Sequence, residues 1–238
     1  MGLITMIKKA IKKIVFGSKS DSNSYIKYLR SKGVRIGERV VFFAPMKTEI
    51  DITRPWLIEI GNDVQITEGV VILTHGYDWS VLKGKYGTVL GSAGKVSIGN
   101  NVFIGMNSTI LKGTNIGNNV IIGANSVITK DIPDDTVVAG NPAKVISSLS
   151  DYYEKRKKAQ YEEAIQLVKE YRQVYGTDPG EDELSEFFWM FDKRVYEEMP
   201  SSWKRQMDNV GNREYSCIKL YESKPAFKDM AAFLESIE

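Results

Sequence analysis

Isoleucine returns at every sixth position from Ile98 onward, at Ile104, Ile110, Ile116, Ile122 and Ile128. The fourth residue after each is small or β-branched: Val102, Ser108, Thr114, Val120, Ser126 and Ile132. Glycine often follows the isoleucine directly, at Gly99, Gly105, Gly117 and Gly123. A period of six fits neither an amphipathic helix, whose apolar positions recur at three and four, nor a plain strand, which alternates in twos. It fits a short strand followed by a corner, repeated. Three such units close one triangular coil of a parallel β-solenoid. Each isoleucine then points into the prism and stacks on its counterpart in the next coil, about 4.8 Å along the axis. Gly99-Asn100-Asn101 and Gly117-Asn118-Asn119 stand eighteen residues apart, one full coil. Gly, Asn and Asp suit the corners because they tolerate left-handed backbone angles.

The repeat closes on Ile122-Gly123-Ala124-Asn125-Ser126-Val127-Ile128-Thr129-Lys130-Asp131-Ile132-Pro133, then Val138-Ala139-Gly140-Asn141-Pro142-Ala143-Lys144-Val145-Ile146. This run resembles the end of the coenzyme-A-dependent sugar and xenobiotic O-acetyltransferases. Residues 34–146 as a whole resemble the hexapeptide-repeat acyltransferases. The resemblance implies a mainly β fold, a left-handed parallel β-helix, whose hand departs from the usual right-handed crossover. It also implies acetyl-CoA as acyl donor and a homotrimer that shares its cofactor groove between neighbours.

Around this solenoid the chain divides into an N-terminal helical segment (1–33), the β-helix (34–149) and a C-terminal helical region (150–238). Residues 3–16 read as a helix with Leu3, Ile4, Ile7, Ile11, Ile14 and Val15 on one face and four lysines opposite. Weak contact with an anionic membrane surface fits this pattern. Packing on a neighbouring subunit or on its own solenoid fits it as well. A second short helix, capped by Ser22 or Ser24 and ended at Gly33, would cover the open end of the solenoid. The hexads start near Val34, with Ile36 and Phe42 in phase, and Thr48 and Arg54 then fall on inward positions. Ile60, Ile66 and Ile72 restore the beat. Ile72 to Ile98 spans 26 residues, not a multiple of six, so a loop between Thr74 and Lys95 leaves the solenoid. After Ile146 the pattern turns helical: 151–175, a second helix opened by Pro179 with Leu184, Phe187, Phe188, Met190 and Phe191, and a third from Pro225 to Ile237. The aromatic clusters of this region read as core.

Composition removes several function classes. The net charge is +2, so no global basic field points to nucleic acid. Cys217 is the single cysteine, which rules out an intrachain disulfide and suits a reducing, cytoplasmic setting. No run of about 18 apolar residues marks a spanning helix.

His75 is the one histidine. It follows a predicted strand where the phase breaks, the place of the catalytic histidine in the resembling family. Hydroxyl acetylation needs a base that is neutral near pH 7, and imidazole supplies one. The loop His75-Gly76-Tyr77-Asp78-Trp79 resembles the xenobiotic branch, where the corresponding loop lines the acceptor site. Asp78 then orients the imidazole, binds an acceptor hydroxyl, or caps a turn. Trp79 stacks on a sugar face or anchors its loop. Asp51 and Arg54 break the apolar pattern and mark either the acceptor pocket or an irregular turn. By motif match, Gly105 and Met106 lie where the family's thioester-contacting amide is, and the Met106 N–H would stabilise the developing oxyanion. Ala124 corresponds to a second amide one coil on. Thr129, Lys130 and Lys144 match positions near the nucleotide phosphates, although lysine stands at 144 where relatives often carry arginine. For both lysines a solvated charge is the alternative.

The leading reading is therefore acetyl transfer from acetyl-CoA to a sugar or surface-polysaccharide hydroxyl, directly and without a metal. Aminosugar N-acetylation and antibiotic acetylation are the enzymatic alternatives, and a structural solenoid with a partner-binding helical tail is the non-enzymatic one. Cys217 lies outside the repeats, which disfavours an acyl-cysteine intermediate. Metal-dependent solenoids similar to the γ-type carbonic anhydrases need three histidines per site, and this chain has one.

Overall fold

The computed structural model describes residues 11–237 and divides the chain into two compact units at Tyr152/Tyr153. The first unit is a prism of three parallel sheets. Sheet A holds β1 (Arg35–Ile36), β4 (Ile58–Ile60), β7 (Val96–Ile98) and β10 (Asn115–Ile116). Sheet B holds β2 (Val41–Phe42), β5 (Val64–Ile66), β8 (Val102–Ile104), β11 (Val120–Ile122) and β13 (Thr136–Gly140), closed by β14 (Ala143–Ser148). Sheet C holds β3 (Glu49–Ile50), β6 (Val71–Ile72), β9 (Thr109–Ile110) and β12 (Val127–Ile128). Every pairing is parallel except β13 with β14. The fold is the parallel β-helix expected from the repeats, with the left hand that the resemblance implies.

The register explains both the beat and its breaks. Ile98, Ile104 and Ile110 pair with Ile116, Ile122 and Ile128, one 18-residue coil apart. Ile60, Ile66 and Ile72 pair with Ile98, Ile104 and Ile110, 38 residues on, so the excursion adds twenty residues to one coil. Ile50, not Thr48, pairs with Ile72. Two residues inserted after Phe42 as the turn Pro45–Lys47 displace the inward position, and Thr48 is buried beside it. Arg54 falls in a second insertion that ends in the turn Pro55–Leu57 and leaves the phase altogether. The stacked isoleucines are 0–5% exposed from Ile50 to Ile128, and each contributes about 1.5–3 kcal/mol through burial.

At corners such as Gly69 and Gly113 glycine takes the left-handed angle expected of it, with φ of 75° and 78°, but in Gly-Asn-Asn it serves another purpose. The left-handed residue is the third of each Gly-Asn-Asn, at Asn101 and Asn119, with φ of 55° and 56°. Gly99 is required by the next coil, because a Cβ there would lie 2.5 Å from the Gly117 carbonyl oxygen. Amide side chains bind the coils along this edge: Asn62 Nδ2 donates to Asn100 Oδ1 (3.0 Å) and Asn100 Nδ2 to Asn118 Oδ1 (3.1 Å). Gly99→Ala is expected to cost about 1–3 kcal/mol and lower the melting temperature by several degrees. Gly84 lies in a short helix of the excursion, Trp79–Tyr86, with nothing within 4 Å of an added Cβ. Gly84→Ala is accordingly expected to hold or raise that temperature. Differential scanning calorimetry of the two variants checks the contrast; equal losses would remove the close-approach argument.

The open end is covered as expected, with a different cap. The helix Ser22–Lys32 begins at Asp21, whose Oδ1 accepts the Ser24 N–H at 2.9 Å, in place of Ser22 or Ser24. A carboxylate beside the first N–H groups also complements the helix dipole. Gly33, at φ 104°, ends the helix. Tyr25, Ile26 and Leu29 join the solenoid core. Polar groups of the first coil are taken up by the cap: Ser22 Oγ accepts Phe42 N–H (2.9 Å), Arg30 donates to the carbonyls of Ile36 and Gly37, and Lys19 Nζ donates to Thr48 O. Of the helix expected over 3–16, residues 11–16 are helical and 3–10 lie outside the described residues. Ile11, Ile14, Val15 and Phe16 are 40–84% exposed, so this turn does not pack on its own solenoid.

The second unit continues the helix Leu149–Tyr175, whose start is capped by Ser148 Oγ accepting Asp151 N–H at 3.0 Å. Its core gathers Ala164, Val168, Leu184, Phe188, Phe191, Trp203 and Phe233. The helix expected after Pro179 is instead a series of turns with a short 3-10 segment at Phe188–Met190. Phe188 stacks on Trp203 at 4.7 Å, so aromatic packing, not helical periodicity, spaces these residues. The helices Ser201–Met207 and Arg213–Glu222 were not expected, and the last helix is confined to Met230–Glu235. Among the described residues no helix is long and apolar enough to cross a membrane.

Candidate active site

His75 stands three residues after β6, at the corner between sheets C and A. The excursion leaves and returns there through a two-rung neck: Gly94 N–H donates to Thr74 O (2.9 Å) and Gly76 N–H to Ser92 O (3.1 Å). A bridge between His75 and Ala93 lies between the two bonds. The excursion is not all loop, since Trp79–Tyr86 forms a helix with none of its residues buried.

One coil earlier, Asp51 follows β3 and its N–H donates to Ile72 O. This register carries its side chain to the histidine. Asp51 Oδ2 lies 2.5 Å from His75 Nδ1 and also accepts from Thr74 N–H (3.0 Å) and Thr74 Oγ1 (2.5 Å). Asp51 Oδ1 accepts from Thr53 N–H (3.0 Å) and Thr53 Oγ1 (2.6 Å). The side chains of Asp51 and His75 are 4% and 11% exposed. Burial alone would raise the carboxyl's pKa. The hydrogen bonds from Thr53, Thr74 and His75 outweigh it and hold Asp51 well below the usual carboxylate range. An ionised Asp51 accepting at Nδ1 fixes the neutral imidazole as the Nδ1–H tautomer and leaves the Nε2 lone pair free.

Orientation of the imidazole therefore falls to Asp51. Asp78 is exposed, caps nothing with its side chain, and makes no hydrogen bond to His75 among the described residues. Tyr77 meets the imidazole edge-on at 5.0 Å, and Trp79 in turn lies 6.2 Å from Tyr77. Arg54 begins the Pro55–Leu57 turn and its side chain has no hydrogen-bonding partner among the described residues. Thr53 and Thr74 escaped the sequence reading. Their signals were Asp51-Ile52-Thr53, an Asx-turn pattern, and a threonine directly before the histidine.

The remaining candidates occupy two edges of sheet C. Thr129 and Lys130 follow β12 and share the C/A edge with His75, two coils further on. Gly105, Met106 and Ala124 lie at the opposite edge, between sheets B and C. A Cβ on Gly105 would fall 2.5 Å from Ala124 N, so the two coils touch backbone to backbone. Met106 O accepts the Asn125 N–H, while the N–H groups of Met106 and Ala124 have no partner among the described residues. Both residues are exposed. Lys144, on β14 and paired with Ala139, is exposed beyond this second edge, where Gly140 N–H reaches Ser126 Oγ at 3.2 Å. Within one chain, His75 and the two free amides are thus separated by the width of sheet C. Among the described residues no group of three metal-ligating side chains occurs.

Residues 95–130 match the family described as bacterial transferase hexapeptide (six repeats). Protein CapG of Staphylococcus aureus is 47% identical over 124 residues, 52% of this chain and 71% of that protein. YvoF of Bacillus subtilis (strain 168), provisionally named an acetyltransferase, is 34% identical over 135 residues, 57% of this chain and 70% of its own length. Among solved structures, a maltose O-acetyltransferase from Clostridium difficile 630 shares 26% identity at a TM-score of 0.39, covering 59% of this chain and 84% of that one.

Proposed function

The chain belongs to the hexapeptide-repeat transferases, and on that footing we propose that it transfers acetyl from acetyl-CoA to a hydroxyl of a carbohydrate, with His75 as general base. The observation that carries this reading is the Asp51–His75 pair, which holds the imidazole in one tautomer at a corner bordered by the Tyr77 ring. His75 Nε2 takes the acceptor's hydroxyl proton as that oxygen attacks the thioester carbonyl. The C–S bond then breaks and His75 returns the proton to the departing thiolate. Tyr77 and Trp79 offer apolar ring faces to a sugar.

The free N–H groups of Met106 and Ala124 fit an extended pantetheine arm, whose amides need backbone partners at a groove. The Met106 N–H would face the thioester oxygen. Because these amides and His75 sit on opposite edges of sheet C, the complete site takes one edge from each of two neighbouring copies, as a homotrimer provides. Exposed Tyr77, Val81, Tyr86, Val89 and Leu90 on the excursion fit burial in such an assembly. The single cysteine suits the cytoplasm.

The test is thiol release from acetyl-CoA with neutral saccharides, aminosugars and no acceptor, alongside light scattering at micromolar concentration. Release dependent on a saccharide hydroxyl and a trimeric mass are expected. Release with amines alone, or a monomeric mass, would overturn the O-transfer or shared-site reading respectively. Lys130 and Lys144 are exposed and form no ion pair among the described residues, which fits a contact with the nucleotide phosphates. Lys130→Ala and Lys144→Ala are expected to weaken coenzyme A binding several-fold at low salt and less at high salt. Calorimetry at two ionic strengths checks this, and unchanged affinity in both variants would remove the phosphate role.

A further inference from the structure

We propose that the second unit carries a saccharide-binding site of its own, for an anionic oligosaccharide, distinct from the transfer site. It rests on the carbohydrate reading above for the class of ligand, and on a groove in the second unit for the site. The groove has a volume of about 890 Å³, within the roughly 300–1,000 Å³ of small-molecule sites, and its lining falls wholly between Tyr153 and Lys224.

One wall is the helix Leu149–Tyr175, which presents Tyr153, Arg156, Lys157 and Gln160 to the groove. These positions run i, i+3, i+4, i+7, the spacing of a single helix face. A face turned toward a neighbouring element is ordinarily apolar; this one is aromatic, cationic and amide. The opposite wall, from the helix Arg213–Glu222, repeats the chemistry with Tyr215, Ser216 and Lys219. Trp189 and Phe187 line the groove while packing against the second core, so that wall is anchored.

Three properties together select the ligand. Tyr153 and Tyr215 are 62% and 60% exposed; Lys219 Nζ lies over one face of the Tyr215 ring at 5.6 Å, so Tyr153 and the other face of Tyr215 are open to the C–H face of a sugar. Asn212, Gln160 and Ser216 supply paired donors and acceptors of the kind hydroxyls need. The cations exceed their local partners. Arg156 is paired with Glu163 and Lys219 with Glu222, but Lys157 and Lys224 form no ion pair among the described residues. Glu186 is the single acidic residue of the lining. An acidic group on the ligand, carboxylate or phosphate, would meet that surplus. Nucleic acid fits less well, since the chain's net charge is only +2.

The experiment is calorimetric titration of the full chain with hexagalacturonate, neutral maltohexaose, a single-stranded DNA hexamer and anionic phospholipid vesicles. Binding of hexagalacturonate that weakens with salt, and little binding of the other three, is expected. The triple variant Lys157→Glu, Tyr215→Ala, Lys224→Glu should lose at least tenfold in affinity with circular dichroism and melting temperature preserved, since all three side chains are solvent-accessible. Should the triple variant misfold, the single Lys224→Glu should still lose several-fold. His75→Ala should bind hexagalacturonate as the parent does. Absence of hexagalacturonate binding, unchanged affinity in the folded variants, or loss of binding in His75→Ala would each overturn the separate site. Equal groove-dependent binding of DNA or vesicles would overturn its ligand class. Thiol release in the parent chain is scored separately, so loss of this inference leaves the transfer reading standing, and the reverse.

Discussion

Replacing His75 by alanine is expected to lower kcat for saccharide acetylation by about 10²- to 10⁴-fold, the usual contribution of a general base. No second histidine can substitute, because the chain has one. The fold should survive. His75 contributes one of the five contacts on the Asp51 carboxylate, and the four from Thr53 and Thr74 remain. Loss of one such hydrogen bond costs on the order of 1–3 kcal/mol, so a shift of a few degrees in melting temperature is the upper expectation. Coenzyme A affinity should hold, since the amides of Met106 and Ala124 proposed for the cofactor lie on the other edge of sheet C. Thiol release with a competent saccharide, measured beside coenzyme A calorimetry on the same preparation, decides the matter. Turnover near that of the parent would end the mechanism. Collapse of the fold would recast His75 as a structural residue.

Asp51→Asn is expected to approach the same loss while leaving His75 in place. An amide opposite the imidazole can donate to Nδ1, which moves the ring proton to Nε2 and leaves no base there. The same exchange in a Ser-His-Asp triad lowers turnover by about 10⁴. Here it also sets an NH₂ group against either the Thr74 or the Thr53 donors, whichever way the amide turns. Stability supplies a second readout with a defined sign. Asp51 is held below its unfolded value of about 4, so the unfolded chain takes up the proton first. The stability it contributes is full above that value and is lost as pH falls through the folded one. Urea unfolding of parent and variant should therefore show a gap at pH 6 that narrows toward pH 3. A gap independent of pH would mean that Asp51 is not the charged acceptor described, and a normal kcat in Asp51→Asn would remove it as the positioning residue of His75.

The prism was legible because its rule is local and repeated. Ile98 to Ile128 states the strand, the corner and the coil within six residues, and stacking needs nothing further. The Asp51–His75 pair was not legible for the opposite reason. Its geometry depends on Ile50 pairing with Ile72, and hexad counting put Thr48 in that place because it could not see the two inserted residues. Asp78, three residues from His75, was the nearer carboxylate in sequence and the wrong one in space. The glycines were placed correctly and explained incompletely. Gly99 is forced by the carbonyl of the coil above it, a contact with no trace in local backbone preference. In the second unit the aromatic clusters were read as core, and Phe188, Phe191 and Trp203 are buried. Their secondary structure was missed, because rings that stack across turns obey no period.

The treatment of the first coil bears on how copies of this chain can join. A stack of parallel coils has no intrinsic length: each coil is a template for another, and an unfinished end invites axial growth into fibres. Here β13 is paired by an antiparallel strand, a direction that the coil geometry cannot continue. At the other end Ser22, Arg30 and Lys19 occupy the backbone groups to which a further coil would bond. With sheet B closed at one end and the first coil's backbone groups taken up at the other, axial growth is opposed and side-by-side association is favoured over filaments.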